Sequence, residues 1–127
     1  MIERLDHVVL TVTNIEASLQ FYTEVLGMKE ITFGNDRKAL AFGDQKINLH
    51  EYKREFEPKA ARPTPGSADW CFLTNLDPDS LQTHLTAHGI AIEEGPVTRT
   101  GALGPICSIY IRDPDMNLLE LSTYKND

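Results

Sequence analysis

The chain of 127 residues carries its own pattern twice, and that repetition restricts its fold more than any other feature. Slid against itself by 62 positions, it places Leu10 on Phe72, Ser18 on Ser80, Leu19 on Leu81, Gln20 on Gln82 and Gly27 on Gly89 with no gap. Toward the end the offset widens to 72, and Gly43-Asp-Gln-Lys-Ile-Asn-Leu lies over Asp115-Met-Asn-Leu-Leu-Glu-Leu. Two copies of one supersecondary unit account for this, since a repeat of this length buries its apolar face only against further structure.

The hydrophobic periodicity says what the unit is. Leu5 to Val12 is rich in β-branched residues and stops at Thr13-Asn14, a helix N-cap signal. From Ile15 to Leu26 the apolar residues Ile15, Leu19, Tyr22, Val25 and Leu26 recur at helical steps, and Gly27 ends the run. Three strands are predicted next, Met28 to Phe33, Lys38 to Phe42 and Lys46 to Tyr52, joined by turns at Gly34-Asn-Asp and Gly43-Asp. Lys53 to Gly66 turns charged and proline-rich and reads as a linker. Beyond it, Ala68 to Thr74 reads as a strand, and Asn75-Leu-Asp-Pro opens a helix through His88 that Gly89 ends. Ile90 to Glu93, Ile106 to Arg112 and Leu118 to Thr123 complete the set, the last two joined by Asp113-Pro-Asp. The expected fold is α+β, two βαβββ modules in a single domain: module 1 about 1–56, linker about 57–66, module 2 about 67–127.

Charge and composition narrow the function. The formal charge is −7 with no basic stripe, which argues against nucleic acid as a partner. No apolar run approaches the roughly 20 residues of a membrane span, and the start MIERLDHVVL lacks the pattern of an export signal, so a soluble, cytoplasmic protein is expected. Cys71 and Cys107 are too few and too far apart for a disulfide framework or zinc cluster and read as small strand residues.

Each module should bury its helix on one sheet face and leave the other to line a concavity. The repeat puts His7 on Asp69 and Asn48 on Glu120, and three of these four side chains are metal-ligand types. The segments LDHVVLTVTNIEASLQFYTEVLGM, FGDQKINLHEY and RDPDMNLLELS resemble the vicinal oxygen chelate superfamily of glyoxalase I, fosfomycin-inactivating enzymes, bleomycin-resistance proteins and extradiol dioxygenases. The resemblance covers nearly the whole chain. It implies that His7 is the first-strand metal ligand and Glu120 the last-strand carboxylate ligand, and that Asp69 stands where relatives usually carry a second histidine. It further implies a homodimer, with one site completed by modules from two chains.

On that basis the expected cofactor is a divalent ion, Ni, Zn, Mn or Fe, whose open positions a small oxygen-rich substrate would fill. Alternation along Lys46 to Tyr52 puts Asn48 and His50 on one face. An amide oxygen is the poorer transition-metal ligand, so His50 is the expected fourth contact. The ligand set is then His7, His50 and Glu120 with Asp69 alongside, Glu120 doubling as catalytic base and Asn48 and Arg99 touching substrate. Thr98 to Pro105 reads as a polar, glycine-flanked loop able to cover a ligand, with Arg99 available to an anion. The pair His84 and His88 falls on the helix layer and reads as surface. The expected activity is a metal-dependent lyase or isomerase of the lactoylglutathione lyase type. The alternatives are a metal-free binding or resistance protein, a fosfomycin-type transferase, and an extradiol dioxygenase, which would need His50 as a ligand.

Overall fold

In the computed structural model, which describes residues 1–125, the chain divides into two compact units, Met1–Ser67 and the remainder from Ala68. The first holds β1 (His7–Val12), α1 (Ile15–Glu24), β2 (Lys29–Phe33), β3 (Arg37–Phe42) and β4 (Gln45–Glu51). Its sheet runs β1-β4-β3-β2, with β1 parallel to β4 and the other pairs antiparallel. Asn14 starts α1 by accepting the Ala17 N–H on its side-chain oxygen at 3.0 Å. The helix lies on β2, β3 and β4, and Leu19 and Tyr22 are buried with Leu10, Leu40, Ile47 and Leu49. These are the helical and alternating positions the pattern marked, so one face of the sheet is covered and the other is helix-free.

The second unit repeats this arrangement with β5 (Asp69–Leu73), α2 (Pro78–Ala87), β6 (Glu94–Gly101), β7 (Gly104–Arg112) and β8 (Leu118–Tyr124), in the order β5-β8-β7-β6. Asp77 caps α2 by accepting the Ser80 N–H at 2.8 Å, and Pro78 fills the first turn, where no backbone N–H is needed. Leu81 and Leu85 are buried, as are Ile109, Ile111, Leu119 and Leu121. The Asp113-Pro-Asp turn is tied down from within: Asp113 accepts the N–H groups of Asp115 and Asn117, and the fully buried Asn117 accepts the Ala68 N–H at 2.8 Å. That bond fastens the β7–β8 turn to the residue preceding β5.

The registers of the two sheets correspond. His7 pairs with Lys46 as Asp69 pairs with Leu118, and Val9 pairs with Asn48 as Cys71 pairs with Glu120. The sequence offsets of 62 and 72 are therefore a structural equivalence.

Two expectations are corrected. Ile90 to Glu93 is not a strand; the strand begins at Glu94, after a backbone carried by the Glu93 N–H to Tyr110 bond. Thr98 to Pro105 is not a loop either. It is the tip of the β6–β7 hairpin, with Arg99 opposite Ile106 and Gly101 opposite Gly104 around the turn residues Ala102 and Leu103. Gly104 supplies the φ of +136° that closes so short a connection. The glycines that suggested looseness serve a tight turn.

Candidate functional site

In the first unit, alternation sends His7, Val9, Thr11, Lys46, Asn48 and His50 to the helix-free face. His7 is exposed, and its Nδ1 lies 2.8 Å from a carboxylate oxygen of Asp6. This hydrogen bond is the chief reason the Asp6 carboxyl is held below the ordinary aspartate range. An acceptor at Nδ1 places the ring proton there and leaves the Nε2 lone pair facing outward, the tautomer a metal-binding imidazole requires.

His50 lies elsewhere on that face. It pairs with Thr11, four residues along from the His7 position, a separation of about 13 Å at strand spacing. The structure does not bring His7 and His50 together. His50 is 3% exposed, and its Nε2 stands 3.3 Å from Nη2 of Arg37. A guanidinium only donates, so Nε2 accepts and Nδ1 carries the hydrogen. Burial, then the Arg37 charge, lower the His50 pKa, with Glu55 opposing; the ring is neutral. Its lone pair is thus given to Arg37, and Arg37 in turn lies over the rings of Phe56 at 4.4 Å and Phe33 at 5.1 Å. Sequence reasoning passed over Arg37 and Phe56 as turn and linker residues. The available signal was Arg37 opening a strand whose alternation reaches the His50 face.

In the second unit the helix-free face carries Asp69, Cys71, Ser108, Tyr110, Glu120 and Ser122. Glu120 is half-buried, and its Oε2 accepts from the Ser108 hydroxyl at 2.6 Å. Ser108 is therefore acceptor to Ser122 at 2.7 Å, and Ser122 to the Cys71 thiol at 3.3 Å. Burial raises the Cys71 pKa, which keeps the thiol protonated as this chain demands. The series Cys71 to Ser122 to Ser108 to Glu120 locks one carboxylate oxygen and leaves Oε1 to the open face. Asp69 is exposed at the start of β5, and its charge acts on Arg112, whose main partner is Glu93 through two bonds of 2.9 and 3.0 Å. Arg99 donates to the Tyr110 hydroxyl at 3.1 Å and pairs with Glu94 at 3.4 Å, so its charge is already answered within the hairpin. His84 and His88 stack at 4.4 Å at the end of α2, with His88 Nδ1 against the His84 carbonyl oxygen.

Among the described residues, no three His, Cys, Asp or Glu side chains of one chain gather as a ligand set for a single ion. No described helix is long and apolar enough to cross a membrane.

Two four-stranded sheets, each with a helix on one face and polar side chains on the other, define the class, and the family follows. The Glyoxalase/Bleomycin resistance protein/Dioxygenase superfamily model matches residues 4–121, and the chain belongs to that family. It is 58% identical over 124 residues to the virulence protein STM3117 of Salmonella typhimurium, covering 98% of this chain and 86% of that protein. The crystal structure of that relative matches with a TM-score of 0.97 over 98% of this chain and 99% of the other. The glyoxalase domain-containing protein RDO1 of Mycosarcoma maydis is 54% identical, over 98% of this chain and 70% of its own length. A lactoylglutathione lyase from Agrobacterium tumefaciens shares the fold, with a TM-score of 0.71 and 23% identity over 94% of this chain and 92% of that one.

Proposed function

We propose that the protein is a metal-dependent enzyme of the glyoxalase type, a lyase or isomerase acting on a small oxygen-rich molecule. In this reading His7 and Glu120 hold a divalent ion, with Asp69 as the further protein oxygen. The observation that carries it is the Asp6–His7 hydrogen bond, which fixes His7 in the ligand tautomer at the position the duplication equates with Asp69. In this reading the ligand set is completed between two copies in a homodimer, His7 coming from one and Glu120 and Asp69 from the other. Exposed Val8 and Val9 on the edge strand β1 support such an association.

The ion would supply Lewis acidity to the substrate's adjacent oxygens. Glu120 would do the proton work once substrate takes its place on the ion: with Ser108 holding Oε2, Oε1 is then free to take a proton from the carbon beside those oxygens and return it to the neighbouring atom. Asn48 faces the same side of its sheet as His7 and serves as a substrate contact, whereas Arg99, engaged by Tyr110 and Glu94, is set aside from that role. His50 is better assigned to the Arg37 cluster than to the ion. A cytoplasmic location suits the two free cysteines.

The test is metal content of protein purified without chelator, followed by thermal shifts with Ni, Zn, Mn and Fe(II) after stripping. A ligand that favours the native state raises the midpoint by mass action. Stoichiometric metal and a shift abolished by His7→Ala and by Glu120→Gln are expected. No shift with any ion would replace this reading with a metal-free binding protein.

A further inference from the structure

Arg37 is a charged group that the proposed chemistry does not use and that no carboxylate answers. Among the described residues it forms no ion pair, and its Nε is buried without a hydrogen-bond partner. The Phe33 and Phe56 rings meet the Arg37 charge but accept none of its N–H donors in hydrogen bonds, and the imidazole takes only Nη2. Lys46 adds a second cation 3.9 Å from the Phe33 ring centre, also without an ion pair among the described residues. Two positive groups sharing one aromatic ring repel each other unless an anion joins them. Glu55, whose charge acts on His50, has a carboxylate oxygen committed to the Lys53 N–H at 3.0 Å, and Asp6, whose charge meets Lys46, is engaged by His7 at 2.8 Å.

Asn48 shows the complementary deficiency. It is 6% exposed, and its Oδ1 is buried without a donor. It sits two residues from His50 on β4, opposite Ala39. A buried donor without an acceptor and a buried acceptor without a donor therefore lie on one face, on neighbouring strands and two register positions apart. In native proteins such groups are satisfied, and an unsatisfied pair points to something that binds there.

We propose that this face of the first unit is a carboxylate-binding subsite for a small hydroxy acid, with Arg37 engaging the carboxylate, Lys46 adding charge, and Asn48 accepting from the hydroxyl. Arg37 suits the task because its planar fork meets both oxygens of a carboxylate at once, and the Phe33 and Phe56 rings beside it limit where the charge can move. The Arg37 end of the subsite lies away from the His7 position and the subsite uses no metal ligand, so it goes beyond the reading above and the two can fail separately.

The experiment is a titration of chelator-treated, metal-free protein with malate and with succinate, followed by calorimetry and by the side-chain Nε–H resonance of Arg37. Both acids should bind saturably and move that resonance, with malate the tighter. Arg37→Gln should weaken both at least about tenfold, as expected for loss of a charged hydrogen-bonding partner. Arg37→Lys should fall between, keeping charge without the fork. Asn48→Leu should erase the preference for malate and leave succinate unchanged. Failure of both acids to bind the wild-type protein, or equal binding by Arg37→Gln, would overturn the subsite. If Arg37→Gln does not fold, the wild-type Nε–H signal decides, an unmoved resonance under saturating malate counting against it. Metal binding by the same sample is measured separately and stands or falls on its own.

Discussion

At the scale of the single residue, His50 makes the sharpest demand on the surroundings. Its folded pKa lies below the ordinary value near 6.5, so in the window just under that value the unfolded chain binds more protons than the folded one. Stability therefore falls as pH drops below about 6.5, and the loss levels off once the folded ring also protonates. Thermal midpoints taken between pH 7.5 and pH 5.5 should decline for the wild type and decline less for His50→Gln. The depressed carboxyls of Asp6, Asp77 and Glu93 act in the opposite sense of charge but lose their contribution only at lower pH, as they protonate, so they do not mask the effect. Ser108 supplies a second prediction: Ser108→Ala frees Oε2 of Glu120, takes from the Ser122 hydroxyl its acceptor, and should cost about 1–2 kcal/mol in chemical denaturation. Residue roles were the least legible part of the sequence. Alternation located His50 on the helix-free face correctly, yet nothing in the spacing could show that Arg37 claims its lone pair, because that depends on which residues β3 and β4 set opposite each other.

Individual elements were easier to read where a local signal and a long-range need agreed. Helix α1 is capped by Asn14, marked by residue type, and α2 by Asp77, within the Asn75-Leu-Asp-Pro run read as a helix opening. Asp77→Ala should lower stability by about 1 kcal/mol, measured as a shift of the urea midpoint at unchanged slope. The hairpin β6–β7 is the contrary case. Gly101 and Gly104 supported reading Thr98 to Pro105 as a loop, whereas Gly104 closes a tight turn and Gly95, outside that segment, permits a close approach. Gly95 has φ of +114°, and a Cβ there would collide with the carbonyl oxygen of Ser108 and come within 3.0 Å of the Ile109 Cα. Gly95→Ala should therefore destabilise by about 2–3 kcal/mol and, by displacing Ser108, also weaken whatever Glu120 binds. A sequence shows that a glycine is present; only the strand opposite shows what the missing side chain makes room for.

For the whole molecule, duplication was legible because an offset survives in the residues that fill the two helix–sheet cores, and the matching registers of β1–β4 and β5–β8 follow from it. The ligand set was less legible, since equivalent positions on two copies of a unit do not specify which copies meet. The proposed homodimer predicts that sedimentation or light scattering gives about twice the mass of the 14.3 kDa chain. The most direct test of the cation site combines two inactive variants. His7→Ala and Glu120→Gln should each fail to bind a divalent ion, while an equimolar mixture, unfolded and refolded together, should regain roughly a quarter of wild-type capacity. Half the dimers would then be mixed, and each mixed dimer would carry one intact site from His7 of one copy and Glu120 of the other. Binding by either variant alone at the wild-type level, or no recovery on mixing, would contradict the account.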